Sequence, residues 1–201
     1  MRSSQCVLTR FLVAALVLAL PALAHGNASI GFYADAEGRE GVLDVEPFVP
    51  TTLHLVATGL ENGLLAVEFG ADGDLADDPD LLIVSVVGLW PPFLIVDPCD
   101  RFACVFGTGA CVQGGDSLVL AEWTVLALTP LGADRTLCVA GFDPSSLPDG
   151  APGYVDCDEE LLSFLEAPNP CSDDIPDGCL VVNPSFSCDP VDAAAESFGA
   201  I

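Results

Sequence analysis

The sequence predicts an all-β protein: an antiparallel β-sandwich of jelly-roll type with about ten strands. Three observations predict it. Short β-rich runs recur at 30–34, 52–57, 64–69, 81–87, 93–96, 103–106, 118–128, 136–140, 154–157 and 180–182, with Gly, Pro and Asp clusters between them. The 16 prolines and 19 glycines in 201 residues leave no room for long helices. Finally, Asn62-Gly63 stands between two apolar runs, which is the strongest local hairpin signal.

Taken in order, Ile30-Gly31-Phe32-Tyr33 opens the sandwich. The β-rich run 52–57 stops at Gly59, and Glu61-Asn62-Gly63 turns the chain into 64–69. The longest apolar stretch, 81–96, is broken by Pro91-Pro92, and 118–131 carries Glu122, so neither reads as a membrane span. Helix signals are confined to one or two turns at 158–166, where acids precede apolar residues at 161, 162, 164 and 165, and to a short turn at 192–198.

Residues 1–24 read as a secretory signal peptide. Arg2 and Arg10 precede a short apolar run, Pro21 breaks it, and Ala22-Leu23-Ala24 has the small-x-small form of a cleavage site. The expected compartment is secreted or periplasmic. Residues 25–166 then form the sandwich. Residues 167–201 form a Cys/Pro-rich C-terminal segment, packed on the sandwich or supplying its last strand.

Secretion sorts the nine cysteines. Cys6 leaves with the signal, and Cys99, Cys104, Cys111, Cys138, Cys157, Cys171, Cys179 and Cys188 remain for up to four disulfides. No C-x-x-C pair occurs, which argues against a zinc ribbon or a thioredoxin-type site. The specific pairing expected is Cys171 to Cys179, around a short loop.

Charge excludes whole classes of partner. The net charge is −25, and after residue 24 only Arg39, Arg101 and Arg135 face 30 acids, a net of −27. Such a surface repels nucleic acid and anionic lipid, and favours divalent cations or basic partners. Solubility alone also accounts for it.

The order of segments resembles cohesin-like β-sandwich modules. The resemblance lies in the opening strand, the Pro-rich turn, the run Gly59 to Phe69, the strand 81–88, and the long strand Leu118 to Ala127 before a short loop and final strand. The chain is also similar to exported bacterial proteins with an Ile30-Gly31-Phe32-Tyr33 opening, a segment from Gly178 to Pro184 and an ending Glu196 to Gly199. The resemblance implies the fold more than a ligand; with the strand pattern and no complete catalytic set, the expected function is a secreted, non-catalytic binding or scaffolding protein with a protein or carbohydrate partner. Cohesins lack this cysteine set, and no dockerin-contact residue carries over.

Four constellations have residue types that could carry chemistry. Cleavage after Ala24 would leave His25 as the mature N-terminus. With His54, the only other histidine, it would form a copper-binding brace. The start His25-Gly26 on a β-sandwich resembles lytic polysaccharide monooxygenases, which implies a copper-dependent oxidative enzyme as the alternative function. Against it stands a loose terminal histidine and a strand histidine.

Asp72, Asp74, Asp77 and Asp78 lie on a tight loop with Gly73 and Pro79 and are candidate calcium ligands. The alternative is a solvated acidic turn, and no other cofactor is called for. Gly115-Asp116-Ser117-Leu118 has the letters of the GDSL hydrolases, but no histidine follows to serve as base, so it reads as a turn entering a strand. Trp90-Pro91-Pro92-Phe93 would either stack on a sugar or pack inward at a corner, and inward packing is expected. No complete catalytic set emerges.

Overall fold

The computed structural model describes residues 25–91, 99–171, 174–186 and 188. Twelve strands form, and no helix occurs among the described residues. They are β1 (His25–Tyr33), β2 (Val42–Leu43), β3 (Thr51–Thr58), β4 (Leu64–Asp72), β5 (Leu81–Gly88), β6 (Cys99–Asp100), β7 (Ala103–Val112), β8 (Ser117–Ala127), β9 (Arg135–Ala140), β10 (Gly153–Val155), β11 (Leu161–Glu166) and β12 (Cys179–Val182). The hydrogen-bonded order is β2-β12-β9-β4-β10-β11-β1-β3-β8-β5, with β7 on the other edge of β4 and β6 beyond it.

This path doubles back on itself around one core. β5, β8, β3, β1 and β11 face β2, β12, β9, β4, β7 and β6, and β10 bonds to both β4 and β11 at the seam. Alternation along the strands supplies the interior. Leu53, Leu55 and Ala57 of β3 point inward, as do Val67 and Phe69 of β4 and Trp123, Val125 and Ala127 of β8. Trp123 sits at the centre, edge-on to Phe32 at 5.7 Å and to Phe69 at 6.3 Å, so it touches both layers.

Three expectations are corrected. Asn62-Gly63 is not a hairpin: β3 pairs with β1 and β8, whereas β4 pairs with β7, β9 and β10. The turn is a corner that carries the chain from one layer to the other, because both flanking strands bury one face in the same core. The pairing is antiparallel except for β1 with β11 and β2 with β12, which are parallel.

The expected helical turns at 158–166 form β11 instead. Asp156 Oδ1 accepts the amides of Asp158 at 3.0 Å and Glu160 at 2.9 Å, closing a turn. The chain then runs extended between β1 and β10, and Phe164 meets Tyr154 at 4.4 Å. Ladder bonds on two sides and that ring contact override the local helical pattern. Finally, Cys171 does not bond Cys179. β12 places Cys179 directly across from Cys138 of β9, and these two are joined.

The other disulfides are Cys99–Cys104, Cys111–Cys157 and Cys171–Cys188. β12 lies between β9 and β2, so the C-terminal segment contributes an inner strand rather than only a wrapping. Trp90 packs edge-on against Phe106 at 5.1 Å, the inward arrangement. The expected strand at 93–96, the turn at 192–198 and Phe93 lie outside the described residues.

Candidate functional site

The candidate copper ligands lie on neighbouring strands, at places that correspond to opposite ends of β1. His25 starts β1 opposite Ser163, and His54 lies opposite Tyr33 at its end. Eight residues of strand separate the two places, about 26 Å at 3.3 Å per residue. A histidine brace needs both imidazoles on one metal, so this structure does not bring it together. His54 instead faces Glu122 across β3 and β8, with Nδ1 3.6 Å from Glu122 Oε2. Its Nδ1 is buried without a hydrogen-bond partner.

The acidic loop gathers around arginine. Arg135 Nη2 donates to the Asp74 carbonyl at 2.7 Å and to Asp78 Oδ2 at 2.9 Å, while its Nε lies 3.6 Å from Asp74 Oδ2. Arg101 reaches in from the other side, donating to the carbonyls of Ala76 at 2.7 Å, Asp78 at 3.1 Å and Leu81 at 3.4 Å. Buried Leu75 pins the loop to the core. Asp72 Oδ1 accepts the Gly73 amide, and Asp77 is exposed. Calcium takes six to eight oxygens, and here guanidinium groups hold the carbonyls and carboxylates that point inward. Among the described residues no group of three or more His, Cys, Asp or Glu side chains is placed to hold a metal. Ser117 opens β8 directly after Asp116, as a turn entering a strand would.

A concavity of a different kind lies on the outward face of β7, β4, β10 and β11. Register sets out its floor in two rows. Gly107, Ala66, Val155 and Leu161 stand in line across the four strands, and Val105, Glu68, Gly153 and Ser163 form the next line. Gly107 and Ala66 carry little or no side chain, so the sheet is open there, whereas the space above Gly153 is taken by Leu147. Val105 and Leu161, each 45% exposed, stand on its flanks as apolar walls. The loop carrying Ser146 forms a third side, and the hollow measures about 360 Å3.

Glu68 lies in this hollow and is 8% exposed. Its Oε1 accepts the Ser146 amide at 2.7 Å and the Ser145 hydroxyl at 3.2 Å. The Ser145 hydroxyl in turn accepts the Leu147 amide at 3.0 Å. Leu147 fills the space that a side chain on Gly153 would need, since a Cβ there would stand 2.9 Å from Leu147 Cδ1. Sequence reasoning did not single out Glu68, one acid among 30. The one available signal was its position as the only charge in the apolar run 64–69.

No protein-family model matches the chain, and no curated protein matches it. Its strand layout is similar to cohesin modules in solved structures. One is the sixth cohesin of scaffoldin B from Acetivibrio cellulolyticus, in complex with a Cel5 dockerin mutant, at 13% identity over 78% of this chain and 98% of that one, with a TM-score of 0.49. A second is the cohesin module of a family 33 glycoside hydrolase from Clostridium perfringens, at 7% identity over 78% and 97%, TM-score 0.45. A third is the OlpC cohesin of Clostridium thermocellum, in a type I cohesin–dockerin complex, at 10% identity over 78% and 94%, TM-score 0.44.

Proposed function

We propose that this chain is a secreted, non-catalytic β-sandwich that binds or scaffolds a protein partner through the hollow on β7, β4, β10 and β11. One observation carries the reading: a sheet face that elsewhere would be covered by side chains is opened by Gly107 and Ala66 and walled by exposed Val105 and Leu161. Concave apolar surface with a few placed polar groups is the usual form of a recognition site. Four disulfides and an acidic surface suit an exported protein.

Site-specific photo-crosslinking tests the reading. A crosslinker at Val105 should capture a defined protein from the extracellular fraction of the native host, and Leu161→Asp should abolish that capture. The same group at Val87, exposed on the edge strand β5, should capture nothing. Equal capture from both positions, or binding of a glycan in place of a protein, would overturn it.

A further inference from the structure

We infer that the hollow is a receptor for a single cationic side chain, a lysine or arginine presented by the partner, with Glu68 as its counter-charge. This rests on the docking role of the hollow proposed above and adds the chemistry of what enters it.

The inference starts from an imbalance. A carboxylate as buried as Glu68 is normally compensated by an opposite charge or a full set of donors. Among the described residues both of its hydrogen bonds reach Oε1, and none reaches Oε2. The chain holds no lysine, and its arginines after residue 24 are spent elsewhere. Arg39 pairs with Asp35 and Glu37. Arg101 and Arg135 clamp the acidic loop. No cation of the described chain therefore serves Glu68.

The walls fit the same occupant. Lysine and arginine carry an apolar stem below a charged head, and bury the stem when the head finds a partner. Val105, Val155 and Leu161 offer a channel for such a stem. Gly107 leaves its mouth open, because a Cβ built there meets only the Leu65 carbonyl, at 3.6 Å. Charge-assisted hydrogen bonds to a carboxylate are the strong kind, and Oε2 is not among the fully buried atoms, so an incoming cation can reach it. The acidic surface would also draw a basic partner toward it.

Amide chemical-shift titration of the intact, disulfide-bonded protein tests this with N-acetyl-lysine and N-acetyl-arginine N-methylamides as probes. Saturable shifts are expected at Ala66, Gly107 and Gly153. N-acetyl-norleucine N-methylamide, which has a stem but no charge, should bind at least tenfold more weakly. Glu68→Gln keeps an acceptor for the Ser146 amide and should lose at least tenfold for the cationic probes. Gly107→Leu, which closes the mouth without touching Glu68, should lose as much.

Equal binding of norleucine, unchanged binding in Glu68→Gln, or no shift in the hollow would each overturn the inference. If the cationic probes fail while the Val105 crosslink still captures a partner, the docking reading stands, and Glu68 only anchors the 145–147 loop. If the probes bind while the crosslink captures nothing, the docking reading falls alone.

Discussion

The indole Nε1 of Trp123 donates a 3.0 Å hydrogen bond to the backbone carbonyl of Arg101. One residue thereby links the centre of the core to the arginine that organises the acidic loop. Trp123→Phe keeps most of the buried ring but leaves that carbonyl without its donor. Losing a buried hydrogen-bond partner costs about 1–3 kcal/mol. An unfolding free energy lowered by that amount in urea titration, read as a lower midpoint at unchanged slope, is the expected result. An unchanged midpoint would show that the bond is dispensable.

Gly63 marks the corner where the chain changes layers. Its φ is +73°, and a Cβ there would stand 2.6 Å from the Val112 carbonyl and 2.8 Å from Cys157 Sγ. Gly63→Ala therefore adds left-handed strain to overpacking against backbone and against the Cys111–Cys157 disulfide. Together these cost roughly 2–4 kcal/mol. Thermal melting should show the loss, while Asn62→Ala, which removes only the 3.2 Å bond to Asp156, should cost less than half as much.

Arg135 and Arg101 reach into the loop that carries the candidate calcium ligands, and we propose that arginine supplies the positive charge of the Asp72–Asp80 loop. Melting temperatures in excess calcium and in chelator should then coincide. Arg135→Gln should cost about 1 kcal/mol or less, the usual worth of partly exposed pairs. That variant should also gain a dependence on calcium. A calcium-dependent melt of the unaltered protein would overturn the proposal, because a ligand that binds only the folded state raises its stability.

Both tyrosines of the chain are late to ionise. Burial, reinforced by Asp35 and Asp177, pushes Tyr33 up to about 12 from its ordinary 10.0. Burial, with Asp156 and Glu61, also raises Tyr154. Between the two values for Tyr33 the unfolded chain has released its proton and the folded chain has not, so stability falls as pH rises. The contribution is complete below about pH 10 and is lost as pH climbs to about 12. Tyrosinate absorbance should show Tyr33 titrating near 12, a step that Tyr33→Phe removes, and that variant should flatten the alkaline loss of stability. A titration centred at 10 would sink the prediction.

The strands that the sequence announces are those with a clear inside and outside. β3, β4 and β8 each alternate around residues that end up in the core, and each falls within a few residues of its expected place. What remained hidden depends on contacts far apart along the chain. Asn62-Gly63 looks the same whether the strands it joins pair or separate. Leu161–Glu166 carries a helical pattern that only β1 and β10 overrule.

The cysteine pairing was hidden for a similar reason. Cys179 finds Cys138 because β12 aligns against β9, and the short spacing to Cys171 carries no information about that register. The hollow was hidden most fully. Ala66, Gly107 and Gly153 are unremarkable small residues until three strands bring them side by side.

Every guanidinium between residues 25 and 201 is committed to its own chain's acids or carbonyls. Two copies of this molecule therefore meet as like-charged bodies with no basic patch to bridge them. Their mutual avoidance extends over a screening length of about 8 Å at physiological salt. Crowded together, such molecules would keep their distance from one another while remaining open to anything basic.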